Sequence, residues 1–450
     1  MKKALAGSVL WLALACASLA FGFSGCRQPG AGSAASPASA GTMGTAGTMG
    51  TAENAGTAQT GGSGVTDGTQ TEAPASGTAG GLPGGETGAA DAPPSGTGAV
   101  QPSGETEGAG AAMASVNVRD FGAEGDGKTD DTAAVQAAID RVHDAGGGYV
   151  YLPAGTYRLN AVCVKQDVCL YGDRTWSAED PGSIGNTVLV PAGASVSCVV
   201  DMGSGGYKNP GLKNVCIDGL GLGTSVAGIA SPGLASVTGN SMRVENVRIR
   251  NCSGVGLDAT NNAIASVKGC MVTGCGTGLK LVGWDLFIYN NVIAGNKGDG
   301  ISVSGGSAMS LCYNRIGWND GCGVRFEGFA RVSMTGNTFD SNASPGVYFS
   351  GSTNMALHGN LFIRNGWSPL SGLSNGGCQI SVNASSGINI TDNTVRGASD
   401  ALTGGRSPEY GVIADVMNNC VVQGNTFENA GTRGELKTEE TSNLDCVIEV

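Results

Sequence analysis

Four side chains have the types and spacing for acid–base chemistry on an anionic substrate: Lys280, Arg325, Glu327 and Tyr348. Removing a proton next to a carboxylate, with elimination of a leaving group, needs a cation on the carboxylate, a base for the proton and an acid for the leaving group. Arg325 and Lys280 supply the cations, and Tyr348 and Glu327 supply the acid and base. The plainer alternative is a surface ion pair, Arg325 with Glu327, and a tyrosine packed at an edge. Glycoside hydrolysis fits less well, because it wants two carboxylates about 5–9.5 Å apart. Asp258 and Glu327 are three repeats apart, roughly 14 Å at one strand spacing per repeat.

The four residues share a surface because of the repeat that carries them. A glycine column runs Gly256, Gly278, Gly300, Gly323, Gly346, and an asparagine column runs Asn291, Asn314, Asn337, Asn360 in steps of 23. Alternating apolar pairs follow each glycine (Ile301/Val303, Val324/Phe326) and precede each asparagine (Met309/Leu311, Val332/Met334), and one more apolar residue follows it. Alternation means strands with one inward side. Each unit then holds three short strands that cannot bury their apolar side alone, so units must stack as coils of a solenoid. Asparagine suits a sharp bend because it tolerates the left-handed conformation, and stacked amides can bond one another.

Outward positions on the first strand of each coil form two rows. One runs Asp258, Lys280, Ser302, Arg325, Tyr348, Ser381, Ile413; the other runs Thr260, Val282, Ser304, Glu327, Ser350, Asn383, Asp415. With coils ~4.8 Å apart, Arg325 and Tyr348 are neighbours and Lys280 lies two coils away. The step from asparagine to the next strand start is 9 residues in three coils, then 19, 18 and 20. The last coils therefore carry insertions at one corner, and long loops on a rigid scaffold commonly carry function. The insertions 366–378 and 397–410 are expected to wall a groove near Arg325. Trp367, Arg406 and Tyr410 in them, with Trp284 and Phe329 at the opposite corner, could meet a sugar chain beside Asp258 and Asp415.

Ahead of the coils, Val135, Ala138, Ile139 and Val142 make one stripe of a helix, with Asp131 and Gly146 as its caps. Such a helix would shield the first coil. Asp120-Phe-Gly-Ala-Glu-Gly-Asp-Gly-Lys-Thr-Asp-Asp-Thr132, the helix, and Gly147-Gly-Tyr-Val-Tyr-Leu-Pro-Ala-Gly-Thr-Tyr157 resemble the opening of pectate-lyase-superfamily proteins. The resemblance covers about 116–450. It implies an all-β fold, a right-handed parallel β-helix of three strands per coil with an N-terminal capping helix. It also implies an acidic, uronate-containing polysaccharide lying along the first strands, and leaves room for a calcium ion, for which no ligand cluster is evident. The Asn-Thr-Asp, paired-Asp and Gly-His-Gly marks of polygalacturonases are absent, as is the Arg-x-Pro-x-x-Arg of one lyase group. No catalytic residue carries over by motif, and one scaffold hosts many functions. The rivals are thus a lyase, an epimerase that begins with the same proton abstraction, and a non-catalytic glycan-binding or adhesive module.

Composition bounds the rest. Residues 1–25 open with Lys2 and Lys3 and an apolar run, a secretory signal ending in a lipobox-like Phe-Ser-Gly before Cys26. Residues 26–115 are nearly all Gly, Ala, Ser, Thr and Pro and are expected to be a disordered tether. Of the net charge of −12, the domain 116–450 keeps −8, with no basic run, which argues against nucleic acid. The domain's twelve cysteines, in an exported protein, permit disulfides, Cys252 with Cys275 among the candidates; Cys420 and Cys446 read as free buried thiols. No CxxC pair supports zinc, and His143 and His358 read as surface residues. The sequence therefore predicts a lipid-anchored protein on the bacterial cell envelope. Cys26→Ser should move it from the membrane to the soluble fraction; unchanged fractionation would count against the anchor.

Overall fold

The computed structural model describes residues 113–174, 186–206, 208–231, 240–398, 406–438 and 445–449; the expected signal, Cys26 and nearly all of the tether lie outside them. The first strand, Ala114–Asn117, begins two residues ahead of Val116. Among the described residues every strand pairing is parallel and joins one coil to the next, giving a parallel β-helix with three ladders. The first ladder passes through Ala227–Ala230, Val255–Asn262, the opening of Thr277–Tyr289 and of Ile301–Cys312, Val324–Glu327, Val347–Ser350, Cys378–Thr391 and Tyr410–Asn418. The second includes Ser241–Glu245, Ile264–Lys268 and Ala330–Thr335; the third includes Arg248–Arg250, Met271–Thr273, Val292–Ala294 and Arg315–Gly317. Thirteen-residue Thr277–Tyr289 turns the corner between the first two ladders without a break.

Inward side chains stack on their own kind along the core. Phe326 and Phe349 are 5.4 Å apart, and Phe339 and Phe362 are 4.7 Å apart. The helix Thr132–Asp144 buries Val135, Ala138, Ile139 and Val142 in the same cluster. Its expected N-cap acts otherwise: Asp131 makes no side-chain cap bond and instead accepts from the Glu124 and Gly125 N–H groups. Its last helical turn closes on Ala145 rather than Gly146.

Asn291, Asn314, Asn337 and Asn360 lie in one buried line, as the period requires. Each amide donates to the next Oδ1 at 2.9–3.0 Å, and each Oδ1 also accepts the preceding asparagine's backbone N–H. The left-handed backbone expected of these residues falls one position earlier, on Asn290, Tyr313, Gly336, Gly359 and Asp392. A second line was missed: Asn296, Asn319, Asn342 and Asn365 repeat the same bonds, and Gln379 Oε1 ends the line at 2.9 Å. Its signal was a further asparagine five residues after each of the first set.

This second line explains the glycine column. A Cβ on Gly300 would lie 2.7 Å from the Asn319 amide nitrogen, and one on Gly323 2.9 Å from that of Asn342. The glycines are required for space, so that the neighbouring coil's amide can enter. Where the column reads Gln379, that side chain supplies the terminal acceptor itself.

All twelve described cysteines are free thiols, so the permitted disulfides do not form. Cys252 and Cys275 contact one another as thiols; that hydrogen bond, with burial, pushes the Cys252 thiol up. Burial raises Cys270 and Cys378 to about 12.

Asn342→Ala should remove the acceptor shared by the Asn319 side-chain amide and backbone N–H, leaving the amide only the Ile293 carbonyl at 3.3 Å, at about 1–3 kcal/mol for each bond left unmade. Urea unfolding would measure it; a stability unchanged from wild type would mean that the ladder is dispensable. Gly323→Ala should cost more than Gly193→Ala, since the former's Cβ meets the Gly346 carbonyl at 2.5 Å and the latter's meets nothing within 4 Å.

Candidate functional site

The first-ladder register reproduces the expected row one coil at a time: Asp258 beside Lys280, Lys280 beside Ser302, Ser302 beside Arg325, Arg325 beside Tyr348, then Ser381 and Ile413. Glu327, Ser350, Asn383 and Asp415 line up likewise in the second row. Alternation on a strand is what aims these side chains away from the core.

The pairing of charges differs from the sequence reading. Arg325 is held mainly by Asp299, with Nε to Oδ2 at 2.8 Å and Nη2 to Oδ1 at 3.3 Å. Glu327 lies 3.7 Å from Nη1 and is itself 55% exposed. Asp299 also accepts the Cys322 N–H at 2.7 Å, so its orientation is fixed from two sides. It escaped sequence reasoning because it sits in the corner before Gly300, outside the alternating register. Lys280 is paired in the same manner, to Asp258 at 3.1 Å, and Thr260 Oγ1 donates to the same carboxylate. Each cation is thus backed by an acid from the preceding coil. The Arg325–Asp299 fork is a charge-assisted contact that sets the guanidinium plane.

Tyr348 is placed next to Arg325, whose guanidinium lies 5.9 Å from the ring centre. Its side chain is nearly covered, 7% exposed. Burial raises its pKa, so the phenol keeps its proton at neutral pH.

The aromatic residues divide. Trp284 is half exposed at the corner between the first two ladders. Phe329, expected beside it as part of a wall, is buried in the core, because it packs against Phe326. Trp367 stands at the corner of the first insertion with Arg406 stacked 4.5 Å over its ring, so the two insertions touch there. Tyr410 is not in a loop: it opens the strand Tyr410–Asn418, and its ring faces Gly434 of the last coil. Asp415 sits far along the second row, 3.4 Å from Asn375 of the first insertion. A cleft of about 440 Å³ opens elsewhere, on the second-ladder face, lined by Asp285, Phe287, Ser310, Arg331, Ser333 and Asn354 among others. Its floor is serine and apolar, without the paired acids and cations of the first-ladder row. No group of three or more His, Cys, Asp or Glu side chains is assembled for a metal among the described residues.

Comparison with known proteins agrees with this architecture. Residues 115–325 match the family described as rhamnogalacturonase A/epimerase, pectate lyase-like. The chain is 37% identical over 157 residues to mannuronan C5-epimerase AlgE4 of Azotobacter vinelandii, covering 33% of this chain and 28% of that protein. It is 56% identical over 64 residues to alginate lyase 7 of the same organism, covering 12% and 8%. The chain therefore spans a minor part of these relatives' length. Among solved structures, the AlgE4 A-module superposes with a TM-score of 0.56 at 21% identity, covering 74% of this chain and 100% of the module. A DFA-IIIase of Arthrobacter chlorophenolicus A6 without its lid superposes with a TM-score of 0.58 at 16% identity, covering 75% and 96%. The parallel coils, the opening motif and these matches together put residues 115–325 in the pectate-lyase-like superfamily.

Proposed function

We propose that the protein is an enzyme that acts on a uronate-containing polysaccharide by abstracting the C5 proton, as a lyase or a related epimerase. The observation that carries this is the row of backed cations, Lys280 on Asp258 and Arg325 on Asp299, with the exposed Glu327 carboxylate beside Arg325. The names of the relatives, mannuronan C5-epimerases and an alginate lyase, support the same chemistry.

In this mechanism Arg325 neutralises the uronate carboxylate, which makes the C5 proton removable. Glu327 takes that proton. In elimination the electron pair forms a C4–C5 double bond, the C4–O bond breaks, and Tyr348 protonates the departing oxygen. In epimerisation C4–O stays intact and C5 is reprotonated from the other face. Lys280 binds a carboxylate two sugars away, since an extended sugar advances by about one coil. Trp284, Trp367 and Arg406 would offer stacking and polar contacts at the edges, whereas Tyr410 and Asp415 lie beyond the first insertion. The same proposal takes the coil as right-handed, the helix Thr132–Asp144 as its cap, and the protein as exported and lipid-anchored through Cys26. A second reading, a non-catalytic glycan-binding module, draws on Tyr348 being covered and both cations already carrying a carboxylate partner.

Arg325→Ala should weaken oligouronide binding by about 1.5–3 kcal/mol, the range of a charge-assisted contact, against roughly 0.2–1 for an exposed pair. Titration calorimetry on a folded variant, checked by thermal unfolding because Asp299 is left unpaired, gives the number. Unchanged affinity for every acidic glycan would remove this row as the site. Absorbance of an unsaturated product separates lyase from epimerase, which instead exchanges C5–H with deuterated water. Because burial raises the Tyr348 pKa, its acid form persists through the ordinary tyrosine range. Elimination should therefore hold its rate as pH rises through that range, and Tyr348→Phe should abolish it; an early alkaline fall in the wild type would assign the acid elsewhere.

A further inference from the structure

We infer that the polysaccharide enters this row by its end, because the row is closed on one side by the first insertion. The inference rests on the reading of the row as a polyuronate site. Outward side chains on a solvent-facing strand are buried only where something lies over them. Lys280 keeps 45% of its side chain exposed and Glu327 keeps 55%. From the next coil onward the outward first-row positions are covered: Tyr348 is 7% exposed, Ser381 0% and Ile413 5%.

The segment that spans this part of the row is 366–377, between the strands Leu361–Ile363 and Cys378–Thr391, and its Asn375 lines the same small pocket as Ile413. It starts at the corner ahead of the first ladder, where Ser368 N–H bonds the Ala343 carbonyl at 2.9 Å and Leu370 N–H bonds Ser344 Oγ at 3.0 Å. Its far part reaches the second row: the Asn375 amide donates to Asn383 Oδ1 at 2.7 Å and lies 3.4 Å from Asp415 Oδ2. Asn383 is two residues beyond Ser381 on the same strand, so the segment crosses the first row to reach it. The Gly377 carbonyl then accepts from the Glu409 and Tyr410 N–H groups at 2.9 and 3.2 Å, which ties the segment to the next insertion. Held at both ends and in the middle, it is a wall across the track rather than a bank along it.

A chain advancing about one sugar per coil past Asp258, Lys280, Ser302 and Arg325 therefore meets a stop at Tyr348. An internal stretch of polymer has no way through at that point, whereas a chain end fits. Reaction beside Arg325 would then fall on the sugar at or next to that end.

The test uses the full chain and polyuronates of graded length, competed against a fluorescent oligouronide. End-on binding predicts that affinity expressed per chain stops improving once the oligomer fills the open coils, because each chain has one competent end whatever its length. Coupling oligomers to a bulky carrier through that end should abolish binding, while coupling through the other end should leave it unchanged. Replacing 368–375 with a short Gly-Ser link should restore an affinity per chain that rises in proportion to length; Asn375→Ala, which leaves the segment in place, should not. If the wild type already gains affinity per chain in proportion to length, the row is open and the inference falls while the functional reading stands. If no polyuronate binds at any length, the functional reading falls and takes the inference with it.

Discussion

Stacked amides inside the corner between the third and first ladders set the terms for everything built on the coils. Asn319 and Asn342 are fully or almost fully buried, and each gives and receives hydrogen bonds only through its neighbours one coil away. A buried amide without partners is costly, so each coil is held in register by the need of the next. Glycine in the facing column is the other half of the same device. The register that results is what places Arg325 over Ser302 and beside Tyr348. A slip of one residue would turn that row into the core.

On this frame the charged residues come as backed pairs rather than as lone cations. Lys280 leans on Asp258 and Arg325 on Asp299, each acid coming from the coil before. Such pairing limits self-repulsion and fixes orientation, and it also lowers the net field that a polyanion meets. What remains for a substrate carboxylate is the exposed side of Lys280 and the part of the guanidinium not engaged by Asp299. Glu327, weakly coupled to Arg325 and open to solvent, is the freest carboxylate of the group. The triad at the third ladder, buried Asp340 clamped by Arg315 and Arg364, shows the contrasting case: a carboxylate satisfied on both sides by neighbouring coils and serving the stack.

The insertions change the character of the surface more than its charge. A stack of identical coils offers an endless strip, on which any stretch of a polymer is equivalent. Crossing the strip with one tied segment breaks that equivalence and gives the surface a beginning. Ser381 and Ile413, which pattern alone marks as outward, are buried here, so an apolar Ile413 in an outward row ceases to be an anomaly.

By itself the sequence determined the coil, its period, the three strands, the bends and the first-ladder rows, because a stacked repeat has only nearest-neighbour geometry to satisfy and periodicity encodes that geometry in full. It also held the second asparagine line and the reason for the glycine column in plain view, five residues from the line that was read. The partners of the cations were decided by tertiary structure: Asp299 lies in a corner, where alternation no longer tells which way a side chain points. So were Phe329, which turns into the core, the thiol state of the cysteines, and the path of the segment 366–377. An insertion's length marks the corner that it leaves, but whether it runs beside the strands or across them depends on contacts such as Asn375 with Asn383, which join residues that no period relates.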